Sequence, residues 1–253
     1  MTDQPPAPTP MPPASQPLAG EPDVARHEPG EPNAAGLGEP FAAGREADVF
    51  LLDDGRVLRR YRTGADTAHE AEIMAYAASH GYPVPAVYAA SGPDMVMERL
   101  HGPTMAEAAL AGELALEDGA VMLAELLRRL HELPPRGSAG RDTIIHLDLH
   151  PENVLITERG PVVIDWRNAG DGPGDLDTAL SALIIAQVAI GSIEHPLGAS
   201  IDAMLDRFLE LAPGDPLRLL DDAAAYRGGQ LTMSPDEVAM IGTAVARVRA
   251  GVR

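Results

Sequence analysis

His146-Leu-Asp-Leu-His-Pro-Glu-Asn153, followed after a short gap by Val162-Val-Ile-Asp-Trp166, is the stretch from which the rest of the chain can be read. It supplies a carboxylate at Asp148, a carboxamide at Asn153 and a second carboxylate at Asp165, set between apolar runs with the length of short buried strands. Sparse oxygen donors on neighbouring loops suit magnesium, which keeps several waters and takes one or two carboxylates plus substrate phosphates. On that reading Asn153 and Asp165 hold the ion and Asp148 is left to handle a proton. A second reading starts from His146, Asp148 and His150, which alternate and would share one face of an extended segment. Imidazole and carboxylate suit zinc, as in a metal-dependent hydrolase, although no second His pair follows to complete the site. Each acid taken singly is also compatible with a solvated turn residue.

The spacing of Asp148, Asn153 and Asp165 resembles the catalytic loop and metal-binding Asp of kinase-fold phosphotransferases. With His150-Pro151 inside the loop and Ile164-Asp165-Trp166 where protein kinases carry D-F-G, the chain is similar to the aminoglycoside phosphotransferase and choline kinase branch. The resemblance implies an α+β, two-lobed protein-kinase-like fold with a small β-rich N-lobe and a larger helical C-lobe. It also implies ATP and Mg2+ as cofactors and transfer of the γ-phosphate to a hydroxyl of a small molecule, such as an amino sugar or amino alcohol. Asp148 is then the catalytic base, Asn153 and Asp165 are the metal ligands, and His146 and His150 support the loop.

Composition bounds these readings. The 253 residues have 45% hydrophobic content, enough for a real core in one large domain or two lobes. There is no cysteine, which removes disulfide frameworks and thiolate metal sites. A net charge of −19 argues against nucleic acid and against anionic membrane surfaces, both of which demand basic clusters. The same charge could attract a cationic acceptor, or simply serve solubility. The opening residues lack the basic and apolar regions of a signal peptide, and the apolar run from Leu180 to Ile190 is too short to span a bilayer. A cytoplasmic protein is the expectation. All 19 basic residues are Arg, so no lysine nucleophile, Schiff base or phosphate-binding lysine is available.

Along the chain, residues 1–40 hold eleven prolines and no aromatic residue, the signature of a disordered tail. Residues 41–98 read as the nucleotide-binding N-lobe. Gly44 to Leu52 and Arg56 to Tyr61, joined through Asp53-Asp-Gly55, predict a hairpin. The resemblance makes Gly44 to Asp48 the loop over the nucleotide, with one glycine where protein kinases have three. Val49 and Val57 are counted with the cofactor-binding residues, and Arg59 falls where the family carries its phosphate-binding Lys. Thr67 to Ala78 predicts a helix with an apolar stripe at Ile73, Met74 and Ala77. Glu70 on its flank is the candidate partner of Arg59, and Glu72 is the competitor. Strands follow at 86–90 and 95–97. Met97-Glu-Arg-Leu100 resembles the hinge between kinase lobes, with the Glu98 carbonyl and Leu100 amide facing the adenine edge; an ordinary edge strand is the alternative.

Residues 99–253 read as the catalytic and substrate-binding C-lobe. Leu114 to Leu133 predicts a helix with its buried stripe at Val121, Leu123, Leu126, Leu127 and Leu130, and with His131 packed or capping near its end. Asp171-Gly-Pro-Gly-Asp175-Leu-Asp177 resembles the acidic stretch that closes small-molecule kinase sites, and Asp171 and Asp175 are expected to cap the next helix. Three or four helices are expected after residue 176. A nucleotide-binding but inactive scaffold is the rival from another class, because the Lys is missing and the loop has a single glycine.

Overall fold

A computed structural model of the chain describes residues 37–44, 46–137 and 142–252. The proline-rich segment 1–36 lies outside the described residues, so the expectation of a disordered tail is not addressed.

The first half is a five-stranded antiparallel sheet in the order β1-β2-β3-β5-β4. Its strands are β1 (Ala42–Ala43), β2 (Ala47–Leu51), β3 (Arg56–Tyr61), β4 (Val87–Ser91) and β5 (Asp94–Glu98). The β2–β3 hairpin forms where expected, with Val49 opposite Arg59 and Leu51 opposite Val57. Its turn is held by Asp53, whose carboxylate accepts from the Gly55 N–H at 2.9 Å and from Arg56 Nε at 2.7 Å. Between β3 and β4 runs α1 (Ala68–Ser79), which buries Ile73, Met74 and Ala77 as the spacing predicts, and Glu70 with them. Gly81, at φ 75°, ends the helix in a backbone region that favours glycine.

From residue 99 onward helices dominate. A capping box at Thr104 and Glu107 starts α2 (Met105–Leu110). The next helix, α3 (Leu116–His131), buries Ala120, Leu123, Ala124, Leu126, Leu127 and Leu130, whereas Val121 is exposed. At about 100° per residue Val121 falls on the side away from that face, and small Ala120 and Ala124 sit where close packing occurs. Two short ladders then build the platform of the site. β6 (Thr143–Ile145) pairs with β9 (Gly170–Gly172), and β7 (Val154–Thr157) forms a hairpin with β8 (Gly160–Val163).

The last five helices are α4 (Gly174–Ala189), α5 (Asp202–Leu211), α6 (Leu220–Gly228), α7 (Pro235–Ala239) and α8 (Ile241–Gly251), one or two more than the sequence breaks suggested. α4 is buried continuously from Asp177 to Val188, with α5, α6 and α8 packed around it. A helix apolar on every side belongs in a core, and this accounts for the Leu180 to Ile190 run. Among the described residues no helix is long and apolar enough to cross a membrane.

Asp171 and Asp175 do not cap α4. Its N-cap is Pro173, with no side-chain cap hydrogen bond. Asp171 lies in β9 and pairs with Arg136 at 2.6 Å, while Asp175 is already inside the first turn and accepts from the Asp215 N–H at 3.0 Å and from Arg218. Both carboxylates start too far from the α4 amides along the chain, or too far in, to take an N-cap geometry.

Candidate active site

Asp177, rather than its two acidic neighbours, anchors the 146–153 loop. Its fully buried carboxylate accepts from the His146 N–H at 3.0 Å, the Leu147 N–H at 2.7 Å and His131 Nε2 at 3.0 Å. Burial pushes this carboxyl up, but the bonds from His131 and the loop backbone outweigh it and hold it below the usual carboxylate range. The anchored backbone is strained, because Leu147 sits at φ 63°. A left-handed conformation costs a non-glycine residue roughly 1–2 kcal/mol, so it persists only where neighbours over-determine it. Asp165, at φ 62°, is the other non-glycine residue of positive φ among the described residues. Both lie in the stretch that opened the sequence reading.

The turn at Leu147 separates His146 from Asp148. His146 is buried, donates through Nε2 to the Ile164 carbonyl at 3.1 Å, and packs edge-on against Trp166 at 4.9 Å between ring centroids. The segment is therefore not extended, and the shared face required by a His146/Asp148/His150 metal site does not exist. No group of three His, Cys, Asp or Glu side chains among the described residues could hold a metal ion. The hydrolase reading is thereby set aside, and His146 serves as packing under the loop. Trp166 completes that packing by donating to the Val163 carbonyl at 2.9 Å and meeting Tyr82 edge-on at 5.6 Å.

Asp148 projects from the loop beside Asn153, whose Nδ2 donates to the Asp148 carbonyl at 2.8 Å and to its carboxylate at 3.3 Å. Burial raises the Asp148 carboxyl to about 6, against the lowering influence of His146 and Arg227. A carboxylate of that basicity is suited to accept a proton from a hydroxyl near neutral pH. His150 lies 3.7 Å from Asp148, and burial lowers its imidazole to about 4, so it is neutral at physiological pH. It accepts from the Glu152 N–H at 3.4 Å and bounds the loop on the far side of Asn153.

Arg59 reaches in from β3. Its Nη1 donates to Glu70 Oε1 at 2.5 Å and its Nη2 to Asp165 Oδ1 at 2.5 Å. Tyr61, on the same face of β3, donates its hydroxyl to the other oxygen of Glu70. Burial works against the Arg59 charge, but Asp165 and Glu70 more than offset it, so the guanidinium stays charged. Burial pushes the Glu70 carboxyl up while Arg59 pulls it down. Glu72 is largely exposed and reaches only Arg136, at 3.4 Å. Of the two acids weighed in the sequence, α1 delivers Glu70.

Arg59, Asp148, His150, Asn153 and Asp165 face one cavity of about 900 Å³. Gly44, Val49, Val57, Met97, Glu98 and Leu100 line one part of it, and Asp148, Asn153 and Asp165 line the floor. The connecting segment is pinned to β7 by Gly102, where an added Cβ would lie 2.0 Å from the Ile156 carbonyl oxygen. The Ile156 N–H donates to the Pro103 carbonyl at 2.8 Å, and the Arg99 N–H to the Gly55 carbonyl at 2.9 Å. Among the described residues the Leu100 N–H has no backbone partner. The Glu98 side chain is occupied by a two-pronged pair with Arg159 at 2.8 and 2.9 Å.

The sequence model of the phosphotransferase enzyme family, APH, matches residues 38–142 and 108–218. The chain belongs to this family. The phosphotransferase family assignment agrees with solved structures that share the protein-kinase-like fold. ADP-bound aminoglycoside phosphotransferase APH(2'')-Ib is similar over 86% of this chain and 94% of its own, at 13% identity and a TM-score of 0.53. The gentamicin–APH(2")-IIa complex is similar over 85% and 93%, at 13% identity and a TM-score of 0.53. Amicoumacin kinase hAmiN, in complex with AMP-PNP, Ca2+ and Ami, is similar over 83% and 87%, at 13% identity and 0.50. No curated protein matches the chain.

The donor set of this phosphotransferase fits a hard cation. Asn153 spends its amide nitrogen on Asp148, which leaves its carbonyl oxygen as the remaining acceptor, and Asp165 keeps one carboxylate oxygen beyond the one on Arg59. Two side chains that line the cavity, Arg227 and Gln230, carry no signal of it in the sequence. Arg227 of α6 lies 3.7 Å from Asp148 and donates through Nε to the buried Gln187 of α4 at 3.0 Å and through Nη1 to Gln230 at 2.7 Å. Nothing in the local pattern Ala-Ala-Tyr-Arg-Gly-Gly distinguishes Arg227 from a solvated helix residue.

Proposed function

We propose that this phosphotransferase moves the γ-phosphate of ATP to a hydroxyl of a small molecule. The observation that carries the reading is the convergence of Asp148, Asn153, Asp165 and Arg59, itself paired with Glu70, on a single cavity. Val49, Val57 and Met97 would enclose the base, with the Glu98 carbonyl and Leu100 amide at its edge and Gly44 over the phosphates. Asn153 and Asp165 would hold Mg2+, which when bound neutralises charge on the phosphate oxygens. Arg59, kept charged and aimed by Glu70, would contact the same oxygens with the planar fork of a guanidinium. Asp148 would orient the acceptor hydroxyl and take its proton, and catalysis would come mainly from positioning and charge stabilisation.

Against the inactive-scaffold reading stands the pairing of a charged Arg59 with Glu70, while the single-glycine loop remains on its side. The deciding measurement is ATP consumption by the purified chain, with and without magnesium, across amino sugars, amino alcohols and other hydroxyl acceptors. Magnesium-dependent turnover with any acceptor upholds the reading. Tight nucleotide binding with no turnover of any acceptor returns the scaffold.

A further inference from the structure

Glu46 lies in the connection between β1 and β2, and both it and Arg167 line the cavity. The backbone there is held to the sheet, with the Gly44 N–H on the Ala47 carbonyl at 2.9 Å and the Arg62 N–H on the Glu46 carbonyl at 3.0 Å. The Arg62 guanidinium adds a bond to the Gly44 carbonyl at 2.7 Å and a pair with Asp48. The Glu46 side chain leaves the sheet altogether. Its Oε2 lies 2.5 Å from Nη1 of Arg167, which sits in the 3-10 turn Trp166–Asn168 directly after Asp165. The pair therefore ties the sheet to the segment that carries the acid proposed to hold the metal.

Arg167 is also positioned from the floor of the cavity. Its guanidinium carbon lies 4.7 Å from the centroid of the Tyr61 ring, and that of Arg59 lies 4.9 Å from the same ring. Tyr61 is buried and bonded through its hydroxyl to Glu70. A cation and an aromatic ring attract at that range, so one tyrosine helps to place both guanidiniums. Their carboxylate partners differ in kind. Arg59 is tied to Glu70 on α1 and to Asp165, whereas the partner of Arg167 stands on a connection between two strands. The Arg167 and Glu46 side chains are 27% and 35% exposed, and a pair this open to water adds little to folding stability. A carboxylate standing alone in the connection proposed to cover the phosphates would also repel them. What the pair supplies is a breakable bond between the covering segment and the floor.

We propose that Glu46 and Arg167 are positioning residues that latch the β1–β2 connection over the nucleotide phosphates and thereby slow nucleotide release. The inference rests on the phosphotransferase reading above and adds to it the pair that governs nucleotide retention. A segment that opens and closes at each turnover needs a tie weak enough to break, which a solvent-exposed pair provides and a buried one does not. The latch has a sign that separates it from plain electrostatics. Glu46→Gln removes a negative charge near the phosphates, so charge alone makes the nucleotide bind more tightly. Loss of the latch makes it bind more weakly.

The test uses the full chain with magnesium. It reads ADP affinity by calorimetry, ADP release by displacement of a fluorescent analogue, and adenosine affinity as the control without phosphates. Glu46→Gln and Arg167→Gln should each weaken ADP binding and speed its release by roughly 2- to 5-fold, the scale of one exposed ion pair. The double variant should be no worse than either single one, because the second change has no pair left to break. Adenosine affinity should stay unchanged in all three, and so should Tm without nucleotide. Tighter ADP binding in Glu46→Gln, additive losses in the double variant, or unchanged ADP binding in all three would overturn the latch. A much larger loss in Arg167→Gln than in Glu46→Gln would assign Arg167 to the phosphates directly and overturn it too. Equal losses of adenosine and ADP, or a marked fall in Tm, would make the pair a structural one and overturn it as well. Failure of the unmutated chain to bind ADP at all is a different result, which removes the phosphotransferase reading and the latch with it.

Discussion

Arg59 Nη2 lies 2.5 Å from Asp165 Oδ1, so a residue of the sheet is bonded directly to the acid that follows β8, across 106 positions of sequence. The same guanidinium holds Glu70 through Nη1 at 2.5 Å. A lysine ammonium is a point charge on a flexible stem, whereas the guanidinium fork can span two carboxylates at once. Arg59→Ala should therefore cut kcat/KM severely and lower Tm, since breaking a largely buried pair costs about 3–5 kcal/mol. Arg59→Lys should retain substantial activity and Glu70→Ala should fall between the two. Steady-state kinetics of the three variants checks the order, and wild-type rates in Arg59→Ala would sink the phosphate-contact role.

Asp148→Asn keeps the shape of the side chain and removes its capacity to take a proton. Turnover should fall about 10²–10⁴-fold, the usual scale for a positioned base, with nucleotide affinity nearly intact. Single-turnover rates beside nucleotide titrations separate the two quantities. Near-normal phosphorylation by this variant would remove Asp148 from the mechanism.

Asp165→Ala acts one step earlier. It takes away the carboxylate that would hold the metal and at the same time releases Arg59 from one of its two partners. The expected result is weaker nucleotide binding in the presence of magnesium and little change in its absence. Calorimetric titration under the two conditions reads the difference, and equal affinities for wild type and variant would count against Asp165 as a ligand.

What could be read from the sequence follows from what each part of the site depends on. The 146–153 loop, Asp165, the β2–β3 hairpin and the α1 stripe are local patterns, and the structure contains all of them. The pairing of Arg59 with an acid of α1 is implied by the family resemblance, which leaves Glu70 and Glu72 both open, and the structure pairs Arg59 with Glu70. Val121 shows that apolarity alone does not place a residue in the stripe, since at about 100° per residue it points away from the face centred on Leu123 and Leu130. Asp171 and Asp175 stand out by their match to the family's acidic stretch, whereas Asp177 works through long-range bonds to residues 30 and 31 positions away that no local pattern marks. The capping box at Thr104 and Glu107 was legible and overlooked. Arg227 was not legible, since its place beside Asp148 depends on how α6 packs on α4.

Asp177 gives the prediction that tests the architecture apart from the chemistry. Its carboxylate takes two consecutive loop amides and His131, and so holds Leu147 in its left-handed conformation. Asp177→Ala would leave the buried His146 and Leu147 N–H groups without an acceptor, at roughly 1–3 kcal/mol each. The variant should lose several degrees of Tm and, because Asp148 and Asn153 ride on the same loop, lose turnover as well. The pH dependence has a definite sign. The folded-state carboxyl is depressed below the ordinary aspartate value, so its stabilisation is present above that value and is lost as the pH falls through the folded one. The Tm gap between wild type and Asp177→Ala should therefore be full at neutral pH and narrow only under strongly acidic conditions, below about 4. Thermal unfolding of both proteins across that range is the measurement, and a gap that stays constant to the lowest pH at which the chain remains folded would show that the ionised carboxylate is not what holds the loop.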